Sequence, residues 1–68
     1  MAKWIEAKDL KVGMTFARMR QISTPKMIIR IWNRRHENVK VLAFPLGNEG
    51  LGNSFEEMLP IEWVKVWE

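Results

Sequence analysis

Lys26-Met27-Ile28-Ile29-Arg30-Ile31-Trp32-Asn33-Arg34-Arg35-His36-Glu37-Asn38-Val39-Lys40-Val41-Leu42-Ala43-Phe44-Pro45 is the stretch that decides how this chain folds. Two runs rich in β-branched and aromatic residues flank a polar segment, which is the pattern of a β-hairpin. Strands are expected over 26–33 and 38–45, with the polar residues from Asn33 to Asn38 as the connecting loop. Side chains alternate between the two faces of a strand. Met27, Ile29 and Ile31 therefore share one face, and Ile28, Arg30 and Trp32 share the other. On the second strand Val39, Val41 and Ala43 oppose Lys40, Leu42 and Phe44. Pairing Ile31 with Val41 and Ile29 with Ala43 collects the aliphatic side chains on one inward face. The same register sets Trp32 opposite Lys40 and Arg30 opposite Leu42 on the outer face.

Outward from the hairpin, short strands alternate with turn signals. Residues 14–22 form the first strand candidate. Phe16 and Ile22 share a parity with Arg18 and Arg20, so the alternation is broken, and a bulge or an early end near Arg18 is expected. Ser23-Thr24-Pro25 interrupts that run. After Pro45, residues 46–53 are Gly/Asn-rich and predict a loop. Residues 54–59 predict a short strand with Phe55, Glu57 and Leu59 on one parity, and Val64–Trp67 a closing strand. At the front, residues 4–13 are expected to form a lead-in, with Asp9 in a turn and Gly13 supplying a backbone angle other residues avoid. A short helix over 5–11 is the rival reading, although seven residues are too few to hold a helix without packing.

The chain has 68 residues, enough for a single domain, 1–68, that buries roughly 60% of the surface its unfolded form exposes. An apolar fraction of 47% suits a folded globule rather than a disordered chain. The absence of cysteine rules out a disulfide framework and a thiolate metal site, and favours a cytoplasmic location. The apolar runs are far shorter than the ~20 residues that span a bilayer. Lys3, Glu6, Lys8, Asp9 and Lys11 break up any signal-peptide pattern, so no membrane partner is expected. The net charge of +3 hides an asymmetry. Residues 1–40 hold ten Lys/Arg against three acids, a net of +7, whereas residues 41–68 hold one Lys against five acids, a net of −4. One side of the molecule is expected to be basic and the other acidic.

Two segments carry a resemblance. Met58-Leu59-Pro60-Ile61-Glu62-Trp63-Val64-Lys65-Val66-Trp67 resembles the end of an SH3-like barrel, and Asp9-Leu10-Lys11-Val12-Gly13-Met14-Thr15-Phe16 resembles the opening of many small bacterial barrels. The resemblance implies an all-β fold: a small five-stranded SH3-like barrel with a single helical turn before the last strand. It points to no specific family within that superfold. It also places Trp63 as the core aromatic of the closing turn. The acidic and aromatic loop motifs of proline-peptide readers are missing, so that activity is not implied. A superfold supports a shape and no activity.

Catalysis needs a nucleophile, a base or a metal held in position. His36 is the sole histidine and lies in a polar loop between Arg35 and Glu37, the setting of a solvated side chain. No second histidine or cysteine is present to complete a zinc site. Ser23 and Ser54 have no motif around them. Glu56 and Glu57 point to opposite faces of a strand, poor geometry for a carboxylate pair. The loop Gly47-Asn48-Glu49-Gly50-Leu51-Gly52 lacks the Gly-Lys-Ser/Thr ending of a phosphate cradle. No enzyme, cofactor or metal is expected.

What stands above background is the outer face of the hairpin. Arg18, Arg20, Arg30, Trp32, Arg34, Arg35 and Lys40 are the expected binding residues. Aromatic rings interleaved with cations suit single-stranded nucleic acid, with bases stacking on rings and Lys/Arg following phosphates. The structural alternative is that Trp4, Ile5 or Trp67 covers Trp32, Leu42 and Phe44, with Arg and Lys stems lying over rings as surface packing. Trp67 is expected either to cap the barrel or to face a partner, and Met14, Met19, Met27 and Met58 to fill the core or its rim. Nucleic acid is the leading partner. The alternative is a protein-interaction module, a small regulator or inhibitor of a larger assembly, because Trp and Arg are enriched at interface hot spots. The opposed basic and acidic halves also allow head-to-tail self-association.

Overall fold

A computed structural model of the chain describes residues 1–21, 24–46 and 52–67. Among them six strands, β1 (Ala2–Glu6), β2 (Thr15–Arg18), β3 (Lys26–Trp32), β4 (Val39–Pro45), β5 (Ser54–Met58) and β6 (Trp63–Trp67), form one antiparallel sheet in the order β1-β6-β2-β3-β4-β5. The expected all-β class holds. The finer expectation changes in three respects: there are six strands rather than five, the sheet is open, with β1 and β5 as its two edges, and the helical turn is elsewhere. Ahead of β6 the chain makes a β-turn closed by the Glu62 N–H donating to the Leu59 carbonyl at 3.0 Å. It does not continue as a helix because Trp63 is already extended against Glu6 in the β1–β6 pairing. The 3-10 turns lie at Ala7–Asp9 and Met19–Gln21.

The additional strand is β1. Residues 4–13 were expected to form a lead-in or a short helix over 5–11, but Ala2–Glu6 hydrogen-bonds along β6 from Ala2 opposite Trp67 to Glu6 opposite Trp63. The contact continues past the strand. The N–H groups of Ala7 and Lys8 donate to the carbonyls of Glu62 and Pro60 at 2.8 and 3.0 Å. This drives Ala7 and Leu10 into the core, where both are buried. Gly13 then adopts φ +91°, the region the sequence reserved for it, and the chain enters β2. That strand ends at Arg18, as its broken alternation predicted.

The hairpin forms over β3 and β4 with Ile31 opposite Val41, Trp32 opposite Lys40 and Arg30 opposite Leu42, all three as expected. Below Arg30 the register shifts, and Ile28, not Ile29, lies opposite Ala43. Ile29 is the extra residue of a β-bulge, which reverses the facing of everything beneath it. Ile28 is therefore 1% exposed, while Met27 and Ile29, expected inward, are exposed. The bulge lets Ile28 bond to the residues just ahead of β2, its carbonyl accepting from the Gly13 N–H and its N–H donating to the Met14 carbonyl, each at 2.9 Å.

The inner face gathers Phe16, Ile28, Val39, Val41, Ala43, Met58, Val64 and Val66 with Ala7 and Leu10, and Ile5, Met14 and Ile31 pack against them. Residues from β4, β5 and β6 meet in one cluster, so the sheet bends over its own inner face. Each fully buried large side chain contributes roughly 1.5–3 kcal/mol. Two aromatic and methionine expectations fail. Trp63 is 53% exposed, and Met19 is also exposed. In β6 it is Val64 and Val66 that point inward, so the parity of Trp63, Lys65 and Trp67 faces out. The expected loop 46–53 lies largely outside the described residues, as do Ile22 and Ser23.

Candidate functional site

The outer face of β3, β4 and β5 is built in cross-strand rows. Trp32, Lys40 and Glu57 form one row, and Arg30, Leu42 and Phe55 form the next. Because β4 alternates strictly, with Val39, Val41 and Ala43 buried, Lys40 and Leu42 must face outward. Trp32 is 37% exposed and Phe55 67% exposed. Their ring centroids lie 6.0 Å apart at 37°, within the range of favourable aromatic pairs. The Arg30 guanidinium sits 5.5 Å from the Trp32 ring centroid, close enough for cation–π attraction. Beside the two rings is a concavity whose other walls are Arg34, Glu37, Asn38, Lys40 and Glu57. The Nδ2 of Asn38 donates to Glu57 Oε2 at 3.4 Å.

The loop that supplies Arg34 and Arg35 is closed by a turn of its own and tied to the fold at its start. The Glu37 N–H donates to the Arg34 carbonyl at 3.1 Å, and Asn33 Nδ2 donates to the Lys8 carbonyl at 2.6 Å. His36 takes φ 67° at the turn, an angle that histidine visits more readily than most residues. It is exposed, as are Arg34 and Arg35.

Of the seven residues expected to bind, Arg30, Trp32 and Lys40 come together on this face, with Arg34 and Arg35 in the adjoining loop. Arg18 and Arg20 do not. Arg18 is turned to the inner side, where its Nε and Nη2 donate to Glu62 Oε2 and Oε1 at 2.7 and 2.9 Å. The Glu62 carboxylate raises the Arg18 pKa above its ordinary value, against the opposing effect of partial burial. Arg20 lies in the 3-10 turn after β2. The sequence reading omitted Phe55, Glu57 and Asn38. The shared outward parity of Phe55 and Glu57 was visible in the sequence, but their place beside Lys40 and Leu42 follows from the β4–β5 pairing, which it did not specify.

Two further groupings lie apart from that face. Met19, Leu59, Ile61 and Trp63, all exposed, line a groove together with Arg18, Arg20 and Glu62. On the inner side, Lys26 Nζ lies 3.0 Å from Glu56 Oε1 and 3.4 Å from Ser54 Oγ. Glu56 and Glu57 do point to opposite faces, one into this pair and the other into the concavity.

Among the described residues, no group of three His, Cys, Asp or Glu side chains could hold a metal ion, and no helix is long and apolar enough to cross a membrane. No family model, curated protein or solved structure matches this chain.

Proposed function

We propose that this chain is a small non-enzymatic binding domain of the cytoplasm that takes single-stranded nucleic acid on the outer face of β3, β4 and β5. The observation that carries the reading is the solvent-facing Trp32–Phe55 ring pair with the Arg30 guanidinium over it. Every base has a π-face, so rings stack on any sequence at about 1–3 kcal/mol per base. Arg34, Arg35 and Lys40 supply cations around the rings for the phosphates. Titration of a labelled oligonucleotide at low and high salt tests this. Binding is expected at low salt and weakens as salt rises. Trp32→Ala is expected to lose about tenfold in affinity while the chain keeps its native circular dichroism. Absence of binding at low salt, or binding indifferent to salt, overturns the reading.

A separate observation favours a protein partner as the second reading: the exposed groove of Met19, Leu59, Ile61 and Trp63. Contiguous apolar surface marks interaction sites, and Trp is enriched among hot spots. Capture from nuclease-treated lysate separates the two readings. A protein retained by the native chain and lost with Trp63→Ala supports the second, whereas a partner lost on nuclease treatment supports the first. An SH3-like shape is supported by the last strand, β6, pairing with β2. Head-to-tail self-association is supported by the opposite charges of the two halves of the chain.

A further inference from the structure

We propose that the concavity beside Trp32 and Phe55 selects guanine, with the Glu57 carboxylate reading the base's Watson–Crick edge. The proposal rests on the nucleic-acid reading above and adds to it which base the site takes.

The two kinds of polar group at this site have opposite preferences. Arg34 and Lys40 among the walls of the concavity, and Arg30 over the Trp32 ring, attract phosphate. Glu37 and Glu57, which wall the concavity, repel it. Two acids against two cations leave these walls with no net charge to draw a phosphate inward, and the rings of Trp32 and Phe55 among them favour a base there. Glu57 stands in the same row as Trp32 with Lys40 between them, and Phe55 is two residues away on the same outward parity of β5. A base lying on the rings thus turns an edge toward Glu57. Asn38 Nδ2 reaches Oε2 of that carboxylate at 3.4 Å, and each carboxylate oxygen keeps a lone pair for a base.

A carboxylate offers acceptors only. Its two oxygens match a base edge that presents two adjacent donors. On the Watson–Crick edge guanine presents N1–H and N2–H2 side by side. Adenine and cytosine each present one amino group next to a ring-nitrogen acceptor, and that acceptor faces the second carboxylate oxygen unfavourably. Thymine and uracil flank their one N–H with two carbonyls. Guanine is the only base of the set that pairs with both oxygens, in the forked geometry that arginine uses toward carboxylates.

The test uses the whole chain and eight-nucleotide thymine oligomers in which two separated positions carry guanine, inosine, adenine or cytosine. Separated guanines avoid quadruplexes. The native chain is expected to bind the guanine oligomer about tenfold more tightly than the all-thymine one. Inosine, which lacks the 2-amino group, is expected to fall between them. With Glu57→Gln the guanine-to-thymine ratio is expected to collapse to within about twofold. The ratio is the readout because removal of a negative charge strengthens phosphate binding for every sequence. Equal affinity of the native chain for guanine and thymine oligomers overturns base selection while leaving salt-dependent stacking in place. Full discrimination by a folded Glu57→Gln chain, its circular dichroism unchanged, overturns the assignment to Glu57. Failure to bind any oligomer at low salt overturns both this proposal and the reading beneath it. The inosine comparison needs no altered protein, so a misfolded variant cannot mask the outcome.

Discussion

Lys26 and Glu56 face the inner side of the sheet, where their side chains are only 15% and 9% exposed, and their charged atoms lie 3.0 Å apart. Glu56 Oε2 is buried and accepts no hydrogen bond among the described residues. Desolvating two charges offsets most of their attraction, so such a pair adds little net stability, yet losing one partner strands the other. Lys26→Met is expected to destabilise the fold by about 3 kcal/mol, since it leaves a carboxylate in an apolar setting. Lys26→Met combined with Glu56→Leu is expected to cost clearly less than Lys26→Met alone. Urea denaturation of the two singles and the double decides it, and simple additivity would refute the coupling. Arg18 and Glu62 behave differently because both remain partly solvated. Arg18→Lys keeps the charge but loses the two-point geometry, at an expected cost of about 1 kcal/mol.

At the scale of elements, the bulge in β3 makes the sharpest prediction. Ile28 and Ile29 are neighbours of identical chemistry, and the register places one in the core and the other on the surface. Ile28→Ala is expected to cost about 3–4 kcal/mol, Ile29→Ala about 1 kcal/mol or less. Without the bulge the ranking reverses, so paired denaturation curves test the register directly. In the loop after β3, His36→Val is expected to cost about 1 kcal/mol, because a β-branched residue resists φ 67°, whereas His36→Gly stays near neutral. These cases show what was legible in the sequence. The upper hairpin was, because both strands alternate there and Ile31 has only one aliphatic partner in register. The lower hairpin was not. Met27-Ile28-Ile29 is apolar throughout and fits either face, and the choice falls to backbone bonds with Gly13 and Met14, just ahead of β2. β1 was missed because five residues carrying Lys3 and Glu6 show no period of their own, and the strand forms only against β6 at the far end of the chain. The same kind of long-range partner removed Arg18 from the expected face, since Glu62 lies 44 positions away. Of the candidate face, Trp32, Arg30 and Lys40 were legible from local alternation, and Phe55 required knowledge of which strand β5 joins.

Across the whole molecule, the ten cations of residues 1–40 are not equally available to a ligand. Arg18 is committed to Glu62, Lys26 to Glu56, and Lys8 lies 3.8 Å from Glu6. The first two of these carboxylates come from the acidic half, so folding uses the charge asymmetry of the sequence partly to close the inner face. The cations left around the two rings are Arg30, Arg34, Arg35 and Lys40. Each phosphate neutralised on a single strand contributes about −0.7 to the slope of log K against log salt. Four contacts give a slope of about −3, whereas engagement of all ten cations would give about −7. Replacing Arg34 and Arg35 together with alanine is expected to bring the slope to about −1.4, while Trp32→Ala lowers the affinity and leaves the slope unchanged, because stacking releases no counterions. Titrations over a fourfold range of salt with the three chains therefore separate ring from cation. A native slope near −7 would place the nucleic acid across the whole basic half, and a Trp32→Ala chain with native affinity would remove the rings from the site.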